Sequence, residues 1–158
     1  MYTVASWLIP AQVLAQQSIG WVEHVNVVKQ NIRLEAKIDT GADTSSIKAE
    51  ILKEYSVAGE EWVQFRMESK QNQPATLELK IERHAKVKGR SGPSSMRPVV
   101  RMGICLGNIY RDIEVNLAQR KKFKYPILIG RNFLEGVFLV DSGKTHTIQP
   151  SCKGINSN

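Results

Sequence analysis

The chain is divided into many short runs in which apolar and polar residues alternate, and this pattern limits its fold more than any other feature. In residues 32–38 every second side chain is apolar, as in a strand with one buried face. Residues 61–67 and 76–82 repeat the pattern, and little of the chain has the spacing of an amphipathic helix. Many short strands with little helix are typical of a closed barrel or a sandwich. The sequence therefore predicts an all-β fold.

Some segments depart from this alternation. Residues 46–49 look extended or briefly helical, and residues 51–55 are ambiguous. The polar segments 68–75 and 86–98 are rich in turn residues and predict loops, the second being either a hairpin over a cleft or a disordered surface loop. Asp141-Ser142-Gly143 predicts a hairpin turn.

The size and charge of the chain limit its class. Its 158 residues suit one domain with a single core. The 22 Lys and Arg exceed the 15 Asp and Glu, giving a net charge of +7 that attracts polyanions and acidic peptides, or simply forms a solvated basic face. Because no basic motif is interleaved with aromatic residues, no nucleic-acid partner is predicted.

The N-terminal residues 4–15 are uncharged and mostly apolar. This run is too short for a transmembrane helix, so no stable membrane span is predicted. It resembles the apolar region of a secretory signal without the basic start, and a buried N-terminal strand is the competing interpretation. We therefore predict a signal remnant or disordered N-terminus in residues 1–18, one domain in residues 19–150 and a flexible tail in residues 151–158. The predicted location is periplasmic or exported, with the cytoplasm as the alternative.

The side chains that bind metals and nucleotides are scattered. Three histidines lie far apart, and Cys105 and Cys152 do not form a metal-binding pair in sequence, although they could form a disulfide in an exported protein. The segment from Gly103 to Gly107 lacks the Lys and Ser/Thr of a phosphate-binding loop. No metal site and no cofactor are predicted.

The strongest chemical motif is Asp39-Thr40-Gly41, which follows the strand at residues 32–38. A carboxylate fixed at the end of a strand can have a tuned pKa, and two such carboxylates can share a proton and activate water. An Asp that only caps a turn would produce the same tripeptide. A partner motif elsewhere in the chain is needed to choose between the two interpretations.

That partner is the apolar segment at residues 127–134, ILIGRNFL, in which a strand meets a Gly and what could be a short helix. Together with the segment DTGAD at residues 39–43, it closely resembles the paired signature of retropepsin-like aspartic proteases. The resemblance implies a closed acid-protease barrel with one short C-terminal helix. The runs GWVEHV, AKIDTGADTSS and KYPILIGRNFL also resemble a bacterial family labelled ATP-dependent zinc protease, although the chain shows neither a zinc set nor a nucleotide loop.

The resemblance implies a role for each residue of the two motifs. It makes Asp39 the catalytic carboxylate, and Thr40 and Gly41 the active-site loop that meets its partner across a dimer axis. Ala42 and Asp43 would contact the substrate backbone. The structural support would come from Ile129, Gly130 and Arg131. Arg131 would form an ion pair with Asp43, for which its forked guanidinium is suited.

Aspartic catalysis needs two carboxylates, and Asp39 supplies one. A homodimer would bring Asp39 from each chain together on a two-fold axis. The alternative second carboxylate is Asp141, whose Asp-Ser-Gly sequence imitates a catalytic loop, but only fifteen residues follow Gly143. We therefore predict a homodimeric aspartic endopeptidase acting on a peptide or protein, for which an acidic substrate would suit the net charge. The other hypotheses are a catalytically silent module that binds peptides or envelope polymers, and a metallopeptidase.

Overall fold

The structure, a computed structural model, describes residues 15–68, 74–88, 94–119 and 124–152. This part of the chain contains nine strands and one short helix. They are β1 (Gln17–Val27), β2 (Ile32–Ile38), β3 (Ser45–Val57), β4 (Glu60–Met67), β5 (Ala75–Val87), β6 (Ser95–Leu106), β7 (Ile109–Ala118), β8 (Ile127–Ile129), α1 (Arg131–Leu134) and β9 (Phe138–Thr145).

The strands close into two fused rings. The first ring runs through β1, β2, β8, β3, β7 and β6, and it closes where Asn26 and Val27 of β1 pair with Cys105 and Ile104 of β6. The second ring runs through β3, β4, β5, β6 and β7, so the two rings share β3, β6 and β7. Strand β9 pairs in parallel with β1. The prediction of an all-β fold, closed and with one short C-terminal helix, is confirmed.

The core follows from the alternation that the sequence shows. In β2, Ile32, Leu34, Ala36 and Ile38 are all buried, and the residues between them are half-buried or exposed. One apolar cluster includes residues of every strand and of α1. Because burying one large apolar side chain stabilises a fold by about 1.5–3 kcal/mol, β2 is firmly held, and so is the residue that follows it, Asp39.

Strand β3 is longer and more regular than its sequence suggested. It continues without a helix from Ser45 to Val57, so the helical alternative for residues 46–49 is wrong. The physical reason is pairing on both sides, because the first part of β3 pairs with β7 and β8 and the rest pairs with β4. The turn that connects β3 to β4 has positive φ angles at Ala58 and Gly59. The ambiguous residues 51–55 therefore lie in the first strand of a β3–β4 hairpin.

The hairpin turn predicted at Asp141-Ser142-Gly143 is also wrong. These residues lie inside β9. Asp141 pairs with Gly20 and Thr145 pairs with Val22, so three residues of β9 lie opposite one residue of β1. The segment is therefore an irregularity in a continuous strand, because β1 provides a partner on both sides of it.

The two predicted loops are shorter than expected. Strand β5 continues to Val87 and β6 begins at Ser95, so strand pairing takes up both ends of residues 86–98 and forms a hairpin. Strands β4 and β5 likewise leave only residues 68–74 between them. The tips at residues 89–93 and 69–73 lie outside the described residues.

The ends of the predicted domain also extend further. Strand β1 begins at Gln17, inside the segment 1–18, while the signal-like residues 4–14 lie outside the described part. At the other end, the Ser151 N–H donates to the Gly107 carbonyl at 2.7 Å, and Cys152 forms a disulfide with Cys105. Residues 151 and 152 are thus attached to the domain, and residues 153–158 are not described. In the part that is described, no helix has the length and apolar character needed to cross a bilayer.

Candidate active site

Asp39 begins a tight loop at the end of β2. Its N–H donates to the Ile129 carbonyl at 2.8 Å, and its carbonyl accepts from the Ala42 N–H at 3.2 Å. Its side-chain Oδ1 accepts from the Gly41 N–H at 3.2 Å. These bonds set the position and direction of the carboxylate before any ligand binds. Asp39 is half-buried, whereas Thr40 and Gly41 are exposed.

The second motif supports this loop from behind. Strand β8 lies between β2 and β3, with Ile129 beside Ile38 and Leu128 beside Ser46. A Cβ added to Gly130 would lie 2.9 Å from the Ala42 carbonyl oxygen. Only glycine therefore allows the two segments to approach this closely. The two motifs, separated by almost ninety residues in sequence, form one unit.

Arg131, the first residue of α1, joins that helix to the loop at residues 39–43. Its Nη2 forms an ion pair with Asp43 Oδ1, and its Nη1 donates to the Thr40 carbonyl at 2.8 Å. Its backbone N–H also donates to the Ala42 carbonyl at 2.8 Å. The predicted contact between Arg131 and Asp43 is therefore present. Asp43 remains largely exposed, and its contact with substrate stays a prediction.

A hydrogen-bond network around Ser45 was missed by the reasoning from sequence. Ser45 is fully buried, and its Oγ accepts from the Gly130 N–H at 3.0 Å and donates to Asn132 Oδ1 at 2.8 Å. The Asn132 amide in turn donates to the Glu114 carbonyl of β7 at 2.8 Å. The available signals were the Asn two positions after Gly130 and the Ser at the start of β3, but neither indicates its partner.

Asp141 occupies a different environment from Asp39. Its Oδ1 accepts from the Gly143 N–H at 2.9 Å and its Oδ2 lies 2.9 Å from Lys144 Nζ. These two contacts, that with Lys144 being the larger, lower the pKa of Asp141. Its carboxylate is thus held in the charged form by its own strand, and no hydrogen bond joins it to Asp39 in the described part of the chain.

The described residues include no group of three or more His, Cys, Asp or Glu side chains arranged to hold a metal ion. Histidines 24 and 146 do stack, with ring centroids 4.7 Å apart, and His146 Nε2 lies 2.9 Å from Glu35 Oε1. This cluster lies on β1, β2 and the segment after β9, separate from the loop at residues 39–43.

Comparison with known proteins identifies several relatives. A probable alpha-L-glutamate ligase from Shewanella pealeana is 31% identical to this chain over 71% of it. A protein of the same name from Desulfotalea psychrophila is 29% identical over 83% of it. These matches cover only 25% and 29% of the relatives, so the chain spans about a quarter of their length. A crystal structure of a Legionella pneumophila protein of unknown function (DUF785) is 33% identical, with a TM-score of 0.73 over 85% of this chain and 100% of that one.

A family model described as "RimB-like: Retropepsin-like aspartic endopeptidase RimB" matches residues 18–151. This range contains both motifs and nearly all of the described strands. The broader retropepsin-like assignment is therefore confirmed, while the resemblance to the family labelled ATP-dependent zinc protease stays a prediction. This chain belongs to the RimB-like family of retropepsin-like aspartic endopeptidases.

Proposed function

We propose that this chain is an aspartic endopeptidase that works as a homodimer, with Asp39 of each protomer in one active site. The observation that carries the proposal is the loop itself. Asp39 is held by three hydrogen bonds, while Thr40 and Gly41 beside it are exposed. A rigid and uncovered loop suits an isologous contact, in which a two-fold axis places identical loops opposite each other.

The proposed chemistry follows from two carboxylates that share one proton. Two such groups in contact cannot both be ionised, so one is a carboxylate and the other a carboxylic acid. The carboxylate accepts a proton from a water molecule as that water attacks the scissile carbonyl carbon. The carboxylic acid protonates the carbonyl oxygen, and the amide nitrogen leaves as an amine after it is protonated in turn.

Asp141 is a poor candidate for the second carboxylate. The Gly143 N–H and Lys144 already bind its carboxylate, and no hydrogen bond joins Asp141 to Asp39 in the described part of the chain. This supports the homodimer over a site made within one chain.

The proposed substrate is an acidic peptide, in particular one built from glutamate. The relatives named probable alpha-L-glutamate ligases support this proposal, since a ligase for glutamate and a peptidase for its product would act on the same chemistry. The net charge of +7 attracts such a substrate at long range.

We further propose an exported or periplasmic location. The disulfide between Cys105 and Cys152 supports it, because disulfides persist mainly in oxidising compartments.

The catalytic role of Asp39 is tested by comparing Asp39→Asn with Asp141→Asn. Cleavage of a fluorescent library of acidic peptides should be lost in the first variant and kept in the second. Cleavage by Asp39→Asn at the wild-type rate would refute the mechanism. Loss in both variants would point to a site within one chain. Peptide binding without turnover by the wild type would instead favour a silent binding module.

The dimer is tested by mixing the wild type with Asp39→Asn under conditions that allow protomers to exchange. If each site needs two Asp39 residues, an equal mixture retains about a quarter of the activity of the same total amount of wild type. Retention of about half would mean that each chain acts alone. Sedimentation measured in parallel should show a dimer at the concentrations that support cleavage.

A further inference from the structure

Lys37 lies on the same face of β2 as the catalytic carboxylate. In β2 the side chains of Ala36 and Ile38 are buried in the core, whereas Lys37 and Asp39 are half-buried and face away from it. Residues two apart on a strand are separated by about 6.6 Å. Lys37 is therefore about two residues of an extended peptide from the proposed catalytic centre, within reach of its long side chain.

Strand pairing continues this face away from Asp39. Lys37 pairs with Leu128 of β8, Leu128 pairs with Ser46 of β3, and Ser46 pairs with Asn116 of β7. We call Lys37, Leu128, Ser46 and Asn116 the active-face row, and all four are half-buried. With about 4.8 Å between strands, the row is about 14 Å long, close to the length of four residues of an extended peptide.

The Lys37 ammonium forms no hydrogen bond or ion pair with any residue in the described ranges, although its backbone pairs with β1 and β8. Other strand lysines do, since Lys48 Nζ lies 2.5 Å from Glu68 and Lys80 Nζ lies 2.7 Å from Glu60. Glu35, the preceding residue on the Lys37 face, contacts His146 instead, at 2.9 Å. Lys37 is thus a half-buried cation beside the catalytic loop with no acidic partner in the described part of its own chain.

The opposite end of the active-face row has an unused polar atom as well. Asn116 Oδ1 is buried and has no hydrogen-bond partner among the residues that the structure describes. Because this oxygen is enclosed by the protein, it is not a group that a bound peptide can reach. The charged group of the row is therefore Lys37, at the end beside Asp39.

We propose that Lys37 binds the side-chain carboxylate of the substrate residue next to the scissile bond, and so selects acidic peptides. The charge of the lysine complements the carboxylate, and its place on the row puts it two residues from Asp39. Partial burial makes a charge-assisted hydrogen bond stronger than an ion pair in free solution. This inference rests on the proposed function and adds to it the residue that determines specificity.

The test measures binding separately from cleavage. In an Asp39→Asn background, which prevents turnover, the affinities for hexaglutamate and hexaglutamine are measured by calorimetry. The parent should prefer hexaglutamate. Adding Lys37→Gln should weaken hexaglutamate binding by about tenfold, the lower end for a charge-assisted hydrogen bond, and leave hexaglutamine binding unchanged.

Lys29→Gln is the matched control. Lys29 is an exposed lysine in the turn between β1 and β2, at the opposite end of β2 from Asp39, and it too has no ion pair with a described residue. The Lys29→Gln substitution removes one positive charge, as Lys37→Gln does. Because salt screens long-range attraction at physiological ionic strength, Lys29→Gln should change the affinity for hexaglutamate by less than about twofold.

Three results would overturn the inference. In the first, the parent shows no preference for hexaglutamate, or binds neither peptide. In the second, Lys37→Gln weakens the binding of both peptides equally, and in the third, Lys29→Gln weakens hexaglutamate binding as much as Lys37→Gln does. The proposed function fails separately, if the wild type binds hexaglutamate through Lys37 and does not cleave it.

Discussion

Ser45 connects the segment after the loop at residues 39–43 to the second motif. It is fully buried at the start of β3, directly after the loop, and its hydroxyl connects the Gly130 N–H to the Asn132 side chain. Since β3, β8 and α1 meet at this hydroxyl, it fixes the position of one motif relative to the other.

Replacing Ser45 with Ala should lower the free energy of unfolding by about 1–3 kcal/mol, because the buried Gly130 N–H loses its acceptor, while the Asn132 oxygen loses one donor and keeps the Ser45 backbone N–H. Urea denaturation followed by circular dichroism measures the change. The control is Ser56→Ala, an exposed serine on the same strand, which should stay within about 0.5 kcal/mol of the wild type. Equal midpoints for the two variants would contradict this account of Ser45.

For individual residues, the sequence was informative about those that belong to a recognisable motif. It indicated Asp39, the supporting segment at Gly130 and the contact between Arg131 and Asp43. It did not indicate Ser45, whose bond to Asn132 spans 87 positions. A serine at the start of a strand is common, and only the folded chain shows that this one is buried between two polar partners.

The segment that follows β9 is attached to the rest of the domain by one buried side chain. Glu23 of β1 is fully buried, and its Oε1 accepts from the N–H groups of Gly20 at 2.7 Å and Thr147 at 2.9 Å. The Thr147 hydroxyl donates to the same oxygen at 2.5 Å, and the Ile148 N–H donates to Oε2 at 3.3 Å. One buried carboxylate thereby attaches this segment to the first strand.

Glu23→Gln should lower the free energy of unfolding by about 1.5–3 kcal/mol, because a neutral amide replaces a charged acceptor and directs N–H groups at existing donors. Hydrogen exchange should show faster exchange in residues 146–152. Glu135→Gln, on an exposed side chain with no hydrogen bond to a described residue, should leave both measurements unchanged. Unaltered exchange at Thr147 and Ile148 in Glu23→Gln would argue against the anchor.

Strands were predicted correctly where apolar and polar residues alternate clearly. The prediction failed where pairing with a neighbouring strand determines the conformation. The run at residues 32–38 was predicted as a strand and is β2. Residues 46–49 were left between an extended and a helical conformation, residues 51–55 were ambiguous, and Asp141-Ser142-Gly143 was predicted as a turn. Each segment is held extended by a neighbouring strand. Their conformation depends on partners that lie far away in sequence.

For the whole molecule, the disulfide closes the chain over 47 positions. It links β6 to the segment that Glu23 also holds, so the C-terminal part of the domain is attached at two places.

Replacing both cysteines with serine should lower the free energy of unfolding by about 4 kcal/mol, from the loop-closure entropy that the cross-link removes from the unfolded chain. Chemical denaturation of the oxidised wild type and of the double variant measures this difference. A reducing agent should bring the wild type to the stability of the variant and should not affect the variant itself. A wild type insensitive to reductant would show that the bond does not form in solution.

The sequence by itself determined the class of fold and both motifs of the site, because alternation and turn chemistry act over a few neighbouring residues. Only the tertiary structure decided how β6 closes onto β1, that Ser45 joins the motifs, and that Lys37 lies beside Asp39 without a partner in the described part of the chain. Those features depend on strand pairing and packing between distant segments, which no local pattern specifies.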